Sequence, residues 1–312
     1  MTVPAVEPEA RPRGVYARQN IAVLIAQAVA WASLLTVVDA PLPWPVRAAA
    51  VALFCLVMQG VFTLMHEGFH RNLHPDKRVN DLLCQVGATM FGTSATLHRV
   101  HHWGHHLRNR DVSEQGEFIH PGESPAKKIT LYYVAILGGL WVAGLVFSVL
   151  VLFIPYRVGT LLTRTRKFNT YAAAFGMFKP ADWRQMRVET LGAIAAWAAV
   201  LALTHWSFAT LGLCYGAFAF TWSSLQWVYH LNTPLDNIEG AYNLRLPTPV
   251  RWLFLNFNYN LTHHRDPHRP WQELYATSDQ RETQALVYRW ALMFKPPTPM
   301  PDDLSYLEKR YF

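Results

Sequence analysis

Five histidines, His98, His101, His102, His105 and His106, fall within nine consecutive positions of a 312-residue chain. On an α-helix these offsets share one face, because side chains three and four apart stand one above the next. A stripe of imidazoles suits a metal ion, since neutral imidazole is the commonest metal ligand and accepts Fe, Zn, Cu and Ni. The plainer alternatives are a solvated polar face, or a cluster that repels itself as it protonates near its unperturbed pKa of about 6.5. Histidines recur elsewhere in chemically useful spacing. His66 and His70 are four apart, with His74 one turn on, before Pro75 and the charged run 76–78 break the helix. His230 stands alone, and His263 and His264 are adjacent, with Asn260 three before and His268 four after.

The elements that carry them are greasy. The chain is 51% hydrophobic and only 16% charged, against about 25% charged in an ordinary soluble domain. Residues 19–38 and 46–65 form two apolar blocks, each long enough to cross a hydrocarbon core of about 30 Å. Such blocks leave too little amphipathic surface for a soluble core, so the chain reads as an integral membrane protein. Residues 1–18, with Pro4, Pro8 and Pro12, read as a disordered tail, because no short apolar core and small-residue cleavage site precede the first block. Cys55, Cys84 and Cys214 are scattered and make neither a disulfide framework nor a sulfur metal site.

The turn at 40–45 makes a hairpin of the two blocks, and His66 and His70 emerge at the end of the second. Residues 79–97 are apolar but carry Asn80, Asp81, Gln85 and two glycines, which fits an interfacial helix or a half-span returning to the same side. The main histidine cluster therefore comes back beside His66 and His70. Block 129–155 fits either one tilted span or a re-entrant segment broken at Gly138-Gly139. Charge chooses between them. The following segment holds Arg157, Arg164, Arg166, Lys167, Lys179, Arg184 and Arg187 against Asp182, and a full span would put it outside, contrary to the cytoplasmic preference of Lys and Arg. Residues 189–229 supply two more spans, with His205 near their turn. With 129–155 re-entrant, every one of the 28 Lys and Arg except Arg47 lies on one face.

The expected fold is thus an all-α integral membrane protein with four transmembrane helices in two hairpins, re-entrant or interfacial helices and a cytoplasmic histidine-rich cap, both termini cytoplasmic. Residues 19–294 form one catalytic unit, and 295–312 a Pro-rich linker, KPPTPMP, and tail. Eight imidazoles from four segments converge on one face, more than one metal ion can hold and about right for two. The Glu and Glu-x-x-His pattern of soluble carboxylate di-iron bundles is absent.

HEGFH, HRVHH and NLTHH followed by RDPHRPW resemble the three histidine boxes of the membrane fatty acid desaturase superfamily, which also contains lipid hydroxylases and carotenoid ketolases. The likeness spans roughly 61–275. It implies a non-haem di-iron centre working with O2, two Fe2+ ions being held by His66, His70, His98, His101, His102, His230, His263 and His264. Asn260 stands where the family's commonest third box begins with His, which implies a water or an amide oxygen on one iron. The second box also matches in a shifted register, His102-x2-His105-His106. The earlier register is preferred because the family usually carries further polar residues after its second box. That choice leaves His105 and His106 as supporting or surface groups, with His106 a reserve ligand.

Glu67, Asp111 and Asp266 adjoin the boxes and are candidates to accept the free ring N–H of a ligand. Trp103, Trp227 and Tyr229 are candidate walls for a long apolar substrate. The resemblance implies desaturation of a fatty-acyl or related lipid chain, with hydroxylation or ketolation of a terpenoid or lipid as the alternative. The sequence has no CxxC cluster and no glycine-rich nucleotide loop, so a separate electron donor such as ferredoxin with its reductase is expected. The net charge of +7 suits an acidic partner or anionic headgroups of a bacterial inner membrane rather than nucleic acid. A metal transporter would place ionisable residues in mid-span, and 19–38 and 46–65 have none there.

Overall fold

The computed structural model describes residues 15–164, 176–278 and 284–308, so most of the 1–18 tail and the last four residues of the 295–312 tail lie outside the described residues. Among the described residues the fold is all-α apart from one two-residue strand pair and two isolated β-bridges. Its frame is two helical hairpins. Helix α1, Ala17–Asp39, turns through Ala40–Pro43 into α2, Trp44–Phe69, with Pro45 in the first turn, where a missing N–H costs nothing. Among the described residues, four helices come next: α3, Lys77–Phe91; α4, Ala95–Arg108; α5, Pro125–Val134; and α6, Leu140–Phe153. A short α7, Tyr156–Arg164, follows, then the hairpin α8, Pro180–Thr204, and α9, Phe208–Leu225.

The turns of the two hairpins meet at the end opposite the histidines. There Asp39 accepts hydrogen bonds from Ser207 N–H at 3.0 Å and from the hydroxyls of Ser207 and Thr210 at 2.7 Å each. Trp206 Nε1 donates to Thr36 Oγ1 nearby at 3.1 Å. At the histidine end, Asn20 Nδ2 donates to the carbonyls of Asn72 and Leu73. A buried hydrogen-bond chain crosses the bundle: Trp31 Nε1 donates to the Tyr215 hydroxyl at 2.8 Å, which donates to Met90 O at 2.6 Å. Ile25, Val29 and Leu203 point outward, 59%, 61% and 82% exposed, an apolar surface suited to lipid.

Helices α3 and α4 dip inward and return. Asp76 caps α3 by accepting from Arg78 N–H and Val79 N–H, and Gly92, with φ +89°, closes its far end. Phe91 at the bottom packs on Phe62, Phe218 and Trp222. The Glu189 carboxylate then receives the start of α4, accepting from the hydroxyls of Ser94 and Thr96 and from Thr96 N–H. An acidic group at a helix N-terminus opposes the positive end of its dipole. The half-span expected over 79–97 is therefore a helical hairpin whose second arm carries the histidine stripe back to the surface.

Among the described residues, five helices are long and apolar enough to cross a membrane, the fifth being Pro125–Leu150. That segment is bent. A π-helical turn at Ala135–Gly139 joins α5 to α6, and Gly138 has φ +121° and ψ −17°, a conformation that L side chains avoid. Both arms lead back toward the histidines. In the first, Tyr132 and Tyr133 donate to the carbonyls of Met293 and Phe294 in the C-terminal region. Trp141, past the bend, donates to Phe91 O and stacks on Tyr215. At the second end, Ile154 O accepts from Trp183 and Arg187, beside Phe178, whose ring lies 5.5 Å from that of His101.

The C-terminal region is a set of short helices: α10, Thr248–Leu253; α11, Asn260–Arg265; α12, Trp271–Thr277; α13, Leu286–Leu292; and α14, Ser305–Glu308. The proline-rich run is extended and pairs with the chain: β2, Thr298–Pro299, lies parallel to β1, Phe118–Ile119. This pairing holds the loop after α4 against the cap.

Candidate metal and substrate site

The eight histidines arrive from four places in the fold. The last turn of α2 carries His66, and His70 ends that helix; α4 supplies His102, His105 and His106; the turn after α9 supplies His230; α11 supplies His263 and His264. Their ring nitrogens fall into two groups, each within 4.8 Å of one another: His66, His70, His102, His106 and His263 in the first, His105, His230 and His264 in the second. In the first group His70 Nε2 lies 2.6 Å from His102 Nε2, and His106 Nε2 lies 2.9 Å from His102 Nε2 and 3.1 Å from His263 Nε2. The rings of His106 and His264, 4.5 Å apart, join the two groups.

The structure brings together the shifted register of the second box, not the earlier one. His98 and His101 belong to neither group. The reason is depth: α4 rises outward at about 1.5 Å per residue, so His98, a full turn below His102, lies beneath the level of His66 and His70. Its Nε2 is hydrogen-bonded to Thr93 Oγ1 at 2.9 Å, while the His101 ring faces Phe178. His105 and His106, expected as supporting or surface groups, take the places expected of His98 and His101. The other six histidines expected as ligands, His66, His70, His102, His230, His263 and His264, do converge.

Of the three carboxylates, Glu67 is buried beside His66. Its Oε2 accepts from Asn72 Nδ2 and from Trp271 N–H, both at 3.1 Å, and its Oε1 is 3.9 Å from His66 Nδ1. It ties the first box to α12. Asp111 caps the turn at 112–114 through Ser113, and the Asp266 carboxylate pairs with Arg269, so among the described residues neither carboxylate bonds a histidine ring. The carboxylate that holds a clustered ring is Glu114, whose Oε2 lies 3.3 Å from His105 Nδ1. No spacing announces it, because Glu114 reaches back across a turn nine residues away. Likewise His230 Nδ1 donates to Gly240 O at 2.7 Å, which leaves its Nε2 for the cluster. Gly240 has no room for a side chain, since a Cβ would stand 2.3 Å from Arg110 Cγ and from Asp236 O.

These rings are made to hold something. Both nitrogens of His66 and of His264, Nδ1 of His70 and of His263, and Asn260 Oδ1 are buried with no hydrogen-bond partner, and buried polar atoms are rarely left so. Burial, reinforced by neighbouring imidazoles, pushes His102, His106, His230, His263 and His264 well below the usual histidine pKa, so the rings are neutral donors. Convergent, unprotonated and otherwise unpartnered nitrogens fit two metal ions side by side.

A cavity of about 270 Å³ opens onto these rings. Trp227 and Tyr229 line it as expected, with Phe62, Leu140, Gly144 and Phe147, and Asn260 joins its wall beside His264. Trp103 does not; it packs against His70 at 5.0 Å and His268 at 6.2 Å and donates to Phe69 O. His205 sits at the far turn.

In comparisons with known proteins, the family model described as fatty acid desaturase matches residues 42–295, which takes in every clustered histidine. No curated protein matches the chain.

Proposed function

Because the chain belongs to the fatty acid desaturase family, we propose that it is a membrane-bound, O2-dependent oxidoreductase that desaturates a fatty-acyl or related lipid chain. The observation that carries this reading is the convergence of eight imidazoles, drawn from four stretches of sequence, on one end of an apolar cavity. Two iron ions would be held there, one by His66, His70, His102, His106 and His263, the other by His105, His230 and His264 with Asn260 completing the set directly or through water. Bound iron would supply the reduction of O2 and an oxidant strong enough for an unactivated C–H bond.

The chain's own residues do the rest. Glu114 and the Gly240 carbonyl fix ring orientation. Phe62, Phe69 and Phe257 keep water from the inner side of the cluster. Leu140, Gly144 and Phe147 shape where the substrate lies, and placement to within roughly an ångström separates loss of a second hydrogen from return of oxygen. The second reading is hydroxylation or ketolation within the same superfamily, on a terpenoid or other lipid.

The topology that fits this chemistry has α1, α2, α8 and α9 crossing the membrane and α5–α6 re-entrant, with the histidine cap and both termini cytoplasmic, in a bacterial inner membrane. Electrons would come from a separate carrier such as ferredoxin with its reductase. Expression in a host supplied with a reductase, followed by mass analysis of lipids, tests the reaction. A product lacking two hydrogens supports desaturation, a product gaining one oxygen atom supports the second reading, and no change with iron present would overturn both.

A further inference from the structure

The cavity also restricts what can enter it. One side is apolar, built by Phe62, Leu140, Gly144 and Phe147. Apart from the clustered rings and Asn260, its polar lining includes His98, Asn109, Ser113, Glu114, Gln226 and Tyr229. Among the described residues that line it there is no Lys or Arg, and the one carboxylate is Glu114. A lipid oxygen placed against such walls loses its hydration and needs a hydrogen bond in return.

His98 offers that bond. It lines the cavity one helical turn below His102, and its Nε2 is engaged with Thr93 Oγ1, a buried hydroxyl. Its Nδ1 has no hydrogen-bond partner among the described residues. If Thr93 donates, Nδ1 carries the proton and can donate; if Thr93 accepts, Nδ1 can accept. A hydroxyl oxygen meets either case, and a carbonyl meets the first.

Granted the oxidative reading above, on which this rests, we infer that the substrate is a lipid bearing a hydroxyl or carbonyl oxygen held at His98, within one helical turn of the metal-binding rings. His98 and Thr93 are then specificity residues, distinct from the ring clusters.

The test uses the full chain, iron-loaded in nanodiscs, with 1-hexadecanol and hexadecane as probes and bound lipid counted by mass spectrometry. The alcohol should bind more tightly. His98→Leu, and Thr93→Val as the variant that keeps the ring, should each weaken it about tenfold, the loss of one hydrogen bond, with hexadecane unaffected. Equal or tighter binding of hexadecane, or unchanged alcohol binding in Thr93→Val, would overturn the inference. Iron is measured in the same samples. Wild-type protein without iron that still ranks the probes as expected would sink the oxidative reading alone, whereas iron retained with the ranking reversed would sink only this inference.

Discussion

His105 and Glu114 show how a ring becomes a ligand. Imidazole alone can turn, and a carboxylate on one nitrogen fixes which nitrogen faces the metal. Glu114→Gln should lower iron retention during dialysis against a chelator by roughly 10–100-fold, and retention equal to wild type would show that Glu114 does not orient His105. The register makes a sharper prediction. His102→Ala and His106→Ala should lose iron, while His101→Ala should retain it, because His101 belongs to neither group; the reverse pattern would restore the earlier register. Protons compete for the same nitrogens. In the unfolded chain histidines take up protons near pH 6.5, but buried His230, His263 and His264 resist until well below that. The unfolded state therefore binds more protons as pH falls, and metal-free protein should lose thermal stability steadily below about pH 6.5. A flat profile from pH 7 to 5 would contradict burial of these rings. At this scale the sequence was legible in kind but not in depth. Helical spacing put five histidines on one stripe, yet spacing does not say how far α4 has climbed when it meets α2, and so could not choose His105 and His106 over His98 and His101. Glu114 and the Gly240 carbonyl left no signal at all, because loop closure brings them in.

The elements were read more easily. Apolar length marked α1, α2, α8 and α9, and Pro75 with the charge run 76–78 marked the break after the first box. The hard case was 129–155, where length alone argues for a crossing and the basic segment beyond it against one. Gly138 supports the re-entrant proposal, since its positive φ bends the segment and turns α6 back toward the start of α8. Gly138→Ala should destabilise the fold by roughly 1–3 kcal/mol, because its Cβ would be strained by φ and already lies 3.5 Å from Ala219. A lower melting temperature with altered iron retention is the expected outcome; a melting temperature equal to wild type would mean that the bend is not held by glycine.

For the whole molecule, the Asp39–Ser207 contact joins the two hairpin turns at one end, and the histidines lie at the other, where Asn20 bonds the chain after the first box. The proposed orientation follows from charge, since it keeps the Lys- and Arg-rich segments of the sequence on the histidine side. In sealed inside-out vesicles, a cysteine replacing His268 should react with an impermeant maleimide, and one replacing His205 should not. Reversed labelling would invert the proposed orientation. That orientation puts the rings where a soluble electron carrier can reach them and the cavity where a lipid can slide in.

The most direct measurement is the iron content of purified, active protein. Two histidine groups predict two iron ions per chain in the wild type, with clear loss in His102→Ala and in His230→Ala, one from each group. Active protein with no iron, or with iron unchanged in both variants, would contradict the di-iron site on which the functional reading depends.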